Sequence, residues 1–173
     1  MGIREPLREI GCGLPHALEV MGERWSFLIL RAAFNGMYHF EEFSQQLGIA
    51  RNILSSRLAK LVRNGVLERT PSEHDRRKVE YRLTEKGLDL LPAMLALRQW
   101  GERYTQDVSP DLVLVDRRDG QPIAPIGIRA HDGRDLAWEE LGWQTPDKIG
   151  EPVIRSDNSY PKAKFAHEQE DFC

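Results

Sequence analysis

A chain of 173 residues accommodates one domain of ordinary size plus an appendage, and its 40% apolar and 29% charged residues include no run long enough to span a bilayer. The net charge of −3 is unevenly placed: residues 1–108 carry 16 Lys/Arg against 14 Asp/Glu, residues 109–173 carry 8 against 13, and Arg51–Arg82 holds nine basic and four acidic side chains. Only that central window is suited to a polyanion, and two cysteines near opposite ends, Cys12 and Cys173, argue against a disulfide framework or a close-spaced thiolate metal site.

In chain order, the N-terminus alternates charged and apolar residues without a stretch of signal-peptide length, so a cytoplasmic location is expected. Pro15 opens a short helix that Gly22 ends, since a proline at the first helical position forfeits only a donor that has no partner there. Ser26 is the expected N-cap of a buried, strongly apolar helix that stops at Asn35-Gly36. Phe40, Phe43 and Leu47 fall on one face of a third helix closed by Gly48.

A fourth helix is expected from Ala50 to Asn64, with Leu54, Leu58, Leu61 and Val62 at helical spacing and Asn64-Gly65 as the stop. Its outward face, Asn52, Ser56, Ala59, Lys60 and Arg63, is small, polar and basic. Val66–Thr70 and Lys78–Leu83 then read as a hairpin around a long charged loop. A helix, a turn, a second helix and a hairpin place the fourth helix as a major-groove reader. Asn can pair with adenine, Arg or Lys with guanine or phosphate, and Ser is permissive. The candidate DNA-facing residues are Arg51, Asn52, Ser55, Ser56, Lys60 and Arg63, with Arg76, Arg77 and Lys78 at the hairpin tip. Taken alone, such a face or loop is more often simply solvated surface; its placement beside the hairpin strengthens the functional reading.

Thr84 is expected to cap one long helix to about Tyr104, bent near Leu88 by Pro92. It carries two apolar stripes. Leu88, Leu91 and Leu95 form one; Leu90, Met94, Leu97, Gly101 and Tyr104, with Trp100 beside them, form the other. One small core covers one stripe, so a homodimer through Leu90, Met94, Leu97, Trp100 and Tyr104 is expected. Beyond it, Asp119-Gly120 and Asp132-Gly133 are hairpin-turn signals for a three-stranded meander from Leu112 to about Trp138, followed by a polar arm from Thr145. The expected organisation is thus 12–107, 108–144 and 145–173.

The stretch from ALEVMGERWSFLIL through RNILSSRLAKLVRNGVLER, then YRLTEKG and LRQWGERY, resembles the HxlR-type winged-helix regulators, relatives of the MarR group, over about Cys12 to Tyr104. The resemblance implies a winged helix-turn-helix domain with a long C-terminal dimerisation helix; the β-meander appendage lies outside it and its role is open, and together they make the expected fold mainly α with a small β part (α+β). The resemblance further implies a homodimer on a palindromic double-stranded operator, with Arg51, Asn52, Ser55, Ser56 and Arg57 facing DNA and Arg76 and Arg77 on the wing. Ala50 departs from the capping Ser frequent in such proteins, which costs about 1 kcal/mol at the helix start. Cys12 matches a position at which some members sense oxidants, and is a candidate redox site whose alternative is a small buried apolar residue.

The five histidines are scattered without ligand spacing, and neither a phosphate-cradling glycine loop nor a nucleophile elbow occurs, so no catalytic site, metal or cofactor is expected. Trp25, Phe27 and Trp100 read as core residues, and no effector site is assigned. The alternative to a DNA-binding regulator is a winged-helix protein–protein module with the acidic C-terminal third as its arm.

Overall fold

The structure, a computed structural model, describes residues 12–72, 75, 77–105, 113–142 and 146–152. It divides into two compact units, Met1–Pro125 and Ile126–Cys173. The first is a helical core with a two-stranded wing, the expected α+β arrangement.

Helix α1 spans Leu14–Met21 with Pro15 in its first turn, and α2 spans Arg24–Phe34. The corner between them requires glycine, because a Cβ at Gly22 would lie 2.3 Å from the Leu18 carbonyl oxygen. Helix α2 begins earlier than expected: Glu23, in extended conformation, is its N-cap. Ser26 therefore caps nothing. It sits inside the first turn, fully buried, with its hydroxyl 3.5 Å from the Val20 carbonyl. The chain reaches helical geometry as soon as the Gly22 corner is turned, before Ser26 is available.

Helix α3 is Phe40–Leu47, and the Glu42 carboxylate accepts the N–H groups of Tyr38 and His39, both at 2.8 Å. Gly48 takes the left-handed turn (φ 57°), and α4 follows as Arg51–Arg63. Leu54, Leu58 and Leu61 are fully buried against Ile29, Leu30 and Phe43 in one core cluster. Spacing of three and four residues puts the three leucines on one stripe, which fixes the rotation of α4 and turns its opposite side outward.

Strands β1 (Leu67–Pro71) and β2 (Val79–Leu83) pair antiparallel in the register Leu67↔Leu83 to Pro71↔Val79. A single bridge, His39↔Glu80, and the Tyr81 N–H to Tyr38 carbonyl bond (2.7 Å) tie β2 to the segment before α3. The hairpin is thereby fixed to the helix-turn-helix.

The one long helix expected from Thr84 is two. Thr84 caps a single turn, α5 (Glu85–Leu88), its hydroxyl accepting the Gly87 N–H at 3.1 Å; α6 then runs Leu91–Tyr104 with Pro92 in its first turn. Proline removes a donor that a first turn leaves unpaired anyway, so the chain restarts the helix there instead of bending one.

The expected three-stranded meander is likewise corrected. Among the described residues, 113–142 hold two tight hairpins, each closed by one isolated bridge, Val115↔Pro122 and Arg129↔Asp135. Gly120 (φ 71°) and Gly133 (φ 89°) make the two Asp-Gly turns as expected. Pro122 and Pro125 lack the donors that a central strand would need toward its neighbours. The first hairpin belongs to the helical unit and the second to the C-terminal unit. In the latter, Glu140 accepts the Ala137 N–H (2.7 Å) at a 3-10 turn, Trp138–Glu140. Among the described residues no helix is long and apolar enough to cross a membrane.

Candidate nucleic-acid interface

The outward side of α4 is set by its buried leucines. Asn52, Ser55, Ser56, Ala59 and Arg63 are all exposed along it. This is a face of short polar side chains ending in a cation at the C-terminal turn, where positive charge also meets the favourable end of the helix dipole.

The other cations of α4 are held by acids from earlier in the chain. Arg51 makes a two-pronged contact with Glu41 of α3, both nitrogens at 2.7 Å, and lies 4.7 Å over the Phe40 ring. The pair depresses the Glu41 carboxyl below its ordinary value through the Arg51 hydrogen bonds. It also ties down the first turn of α4, whose N-cap Ala50 supplies no side-chain acceptor. Arg57 donates to Glu23 at 2.8 Å and makes a second ion-pair contact with the other carboxylate oxygen; Lys60 Nζ is 3.5 Å from the same carboxylate.

On the wing, Lys78 and Arg77 are exposed, the latter with 92% of its side chain accessible and its Nε 3.1 Å from Asp75. Hydrogen bonds from Arg77 hold the Asp75 carboxyl below its ordinary value. Arg76 lies outside the described residues. The wing is braced beneath by Glu80, a buried carboxylate bonded to Arg82 at 2.7 Å, while the Arg82 guanidinium covers the Tyr38 ring at 4.5 Å. A hydrogen bond from Ser72, then that from Arg82, keeps Glu80 ionised to lower pH than usual. His39 Nδ1 is 3.1 Å from the Val79 carbonyl, adding a second tie between wing and helix-turn-helix.

The acids Glu23, Glu41 and Glu80 were not among the expected site residues. Glu80 and Arg82 are two apart on one strand face, a local signal; Glu23 meets Arg57 across 34 residues, which no local pattern encodes.

Helix α6 has no buried residue. Leu97, Trp100 and Tyr104 are 53%, 64% and 65% exposed, and the two ring centroids lie 5.6 Å apart with the planes tilted by 49°. Met94 is half-buried, while Leu90 is packed against the core of its own chain. Leu95, of the other stripe, lines a shallow groove of about 170 Å³ between α6 and the first hairpin. Trp25 and Phe27 pack on the core as expected. Cys12, immediately before α1, is a half-buried free thiol.

Comparison with known proteins agrees with this geometry. The sequence model of a family described as HxlR-like helix-turn-helix matches residues 20–109. An uncharacterized HTH-type transcriptional regulator of Mycobacterium tuberculosis is 42% identical over 127 residues, 73% of this chain and 80% of that one. The crystal structure of PA1607, a candidate transcription factor, superposes with a TM-score of 0.72 at 44% identity, over 77% of this chain and 94% of that one. The redox regulator HypR in its oxidized form is more distant, with a TM-score of 0.50 at 32% identity over 56% of this chain and all of that one.

Proposed function

The chain belongs to the HxlR-like helix-turn-helix family of transcriptional regulators, and on that premise we propose that it acts as a homodimer reading a two-fold symmetric operator in double-stranded DNA. The observation that carries this reading is the exposed face of α4. Asn52, Ser55, Ser56 and Arg63 are exposed on one side of a helix whose rotation is locked by three fully buried leucines. Side chains of this kind reach base edges in a major groove. Arg77 and Lys78 on the adjoining wing, with Arg76 between Asp75 and Arg77 in sequence, supply phosphate contacts. Arg51 adds positive charge beside the reading face, paired with Glu41, while Arg57 and Lys60 both turn to Glu23.

The dimer rests on α6. A helix of 14 residues without a buried side chain, carrying Leu97, Trp100 and Tyr104 in the open, is stabilised by a second copy laid along it, with Met94 at its margin and Leu90 bridging to the core. A two-fold dimer then spaces the two α4 helices for half-sites about one helical turn apart.

Cys12 is the candidate redox site of this regulator. The reading is supported by the likeness to HypR, a redox regulator, and by a half-buried thiol with no disulfide partner among the described residues. Operator affinity measured with and without diamide, in the parent and in Cys12→Ser, tests it: a change confined to the parent supports the assignment, and equal affinities throughout end it.

The test of DNA binding is fluorescence anisotropy with labelled duplex DNA over a salt series. Affinity that falls steeply between low and moderate salt is the expected result. No binding at any salt points instead to a protein–protein module.

A further inference from the structure

Resting on the DNA-binding reading, we infer that Glu23 is a specificity-determining residue: it withholds Lys60 of the reading helix from DNA phosphates and so lowers affinity for non-cognate sequence. Glu23 lies outside the helix-turn-helix, at the corner between α1 and α2. Its backbone is extended (φ −116°, ψ 137°), and the preceding Gly22 packs so closely on Leu18 that a Cβ would meet the Leu18 carbonyl at 2.3 Å. The carboxylate is thus presented from a fixed corner.

Two cations of α4 converge on it and they differ in kind. At 100° per residue, Arg57 projects close to the buried leucine stripe and Lys60 at the edge of the outward face. The Arg57 Nε is buried with no hydrogen-bond partner among the described residues, and its terminal nitrogens spend themselves on Glu23, which makes Arg57 a strut. Lys60 is held less tightly, at 3.5 Å, yet only 23% of its side chain is accessible. Its stem lies along the protein surface, as lysine stems do, and its ammonium is within ion-pair distance of the Glu23 carboxylate.

The contrast with Arg51 and Glu41 supports the assignment. Those side chains are 64% and 61% accessible, so water screens their attraction; the Glu23 cluster, at 23–40%, is screened less. One carboxylate between two cations leaves the cluster one positive charge in excess, but it draws the Lys60 ammonium toward the corner and repels the phosphate that ammonium would otherwise meet, so Lys60 displaces fewer counterions from DNA. Base readout by Asn52, Ser55 and Ser56 does not draw on Lys60. Removing the Glu23 charge therefore adds to sequence-independent binding and leaves the sequence-dependent part in place.

The experiment compares the parent full-length chain with Glu23→Gln, Lys60→Gln and the double variant, by anisotropy on a non-cognate duplex across a salt series. The thermal midpoint is recorded for each. Glu23→Gln should bind more tightly at low salt, with a log–log salt slope steeper by about 0.9, the value of one added phosphate contact. Its advantage over the parent shrinks about threefold between about 50 and 200 mM salt. The double variant should lose that gain, Glu23→Asp should restore the parent slope, and Lys60→Gln alone should match the parent. An unchanged slope in a folded Glu23→Gln overturns the inference. If that variant does not fold, Lys60→Gln alone decides: a slope shallower by about 0.9 shows that Lys60 already touches phosphate and overturns it equally. A parent that binds no duplex at any salt fails the DNA-binding reading itself, which separates the two failures.

Discussion

Gly87→Ala tests how α5 is seated on the root of the wing. Gly87 has no positive φ, so in open space alanine would favour the helical turn by about 0.5–1 kcal/mol. Here the space is taken. A Cβ would lie 2.3 Å from the Val66 carbonyl oxygen and 3.0 Å from Leu83 Cδ2, and real Cβ atoms essentially never approach closer than 3.0 Å. The Leu83 methyl can rotate away, but the carbonyl is held by the Thr84 N–H at 3.2 Å. Relief also pulls the Gly87 N–H from the Thr84 hydroxyl (3.1 Å), which itself donates to the Gly65 carbonyl at 2.6 Å. Overpacking of this order costs about 1–3 kcal/mol and each loosened bond about 0.5–1.5, so a net loss of about 2–3 kcal/mol is expected after the propensity gain. For a chain of this size that lowers the thermal midpoint by about 5–10 °C. The assay is thermal unfolding followed by circular dichroism. An unchanged or raised midpoint would refute the close seating, because the sign itself separates a clash from open space.

Leu97→Ala with Trp100→Ala should weaken the dimer by about 2 kcal/mol or more, roughly thirtyfold, seen as monomers by light scattering; persistence of the dimer at low concentration excludes α6 as the interface. Arg77→Ala with Lys78→Ala should lower affinity for all duplexes alike and flatten the salt slope by up to about 1.8, whereas an unchanged slope removes the wing from the contact surface. The Glu80 carboxyl is held below its ordinary value of 4.5 in the folded chain, so its contribution is full above that value and is lost as pH falls through the lowered one. Acid unfolding below about pH 4.5 should therefore be less steep in Glu80→Gln than in the parent; identical steepness would show that the carboxylate does not brace the wing.

The helix-turn-helix was legible because its signals are local and concordant. Leu54, Leu58 and Leu61 share a stripe, Gly48 and Gly65 take left-handed turns (φ 57° and 67°), and β1 and β2 follow directly after the second turn. Ser26 misled because capping preference was read without the Gly22 corner, which starts α2 earlier. Pro92 was seen, but whether a proline bends a helix or begins one depends on the Asp89-Leu90 turn before it, and propensity does not decide that. The hairpin turns after α6 were readable from Asp-Gly, while the strands expected beside them reduce to a single bridge in each hairpin. Of the interface, the exposed polar residues of α4 followed from periodicity. Their acidic restraints did not, since Glu23 and Glu41 reach Arg57 and Arg51 only through tertiary packing.

The central claim, sequence-specific reading of duplex DNA by paired α4 helices, is tested most directly by selecting bound sequences from a random duplex pool with the full chain. The account predicts enrichment of a two-fold symmetric motif with half-sites about one helical turn apart, whose preference shifts in Asn52→Ala and Ser56→Ala. A bound pool without any enriched motif, or a motif unaltered by both substitutions, would contradict it.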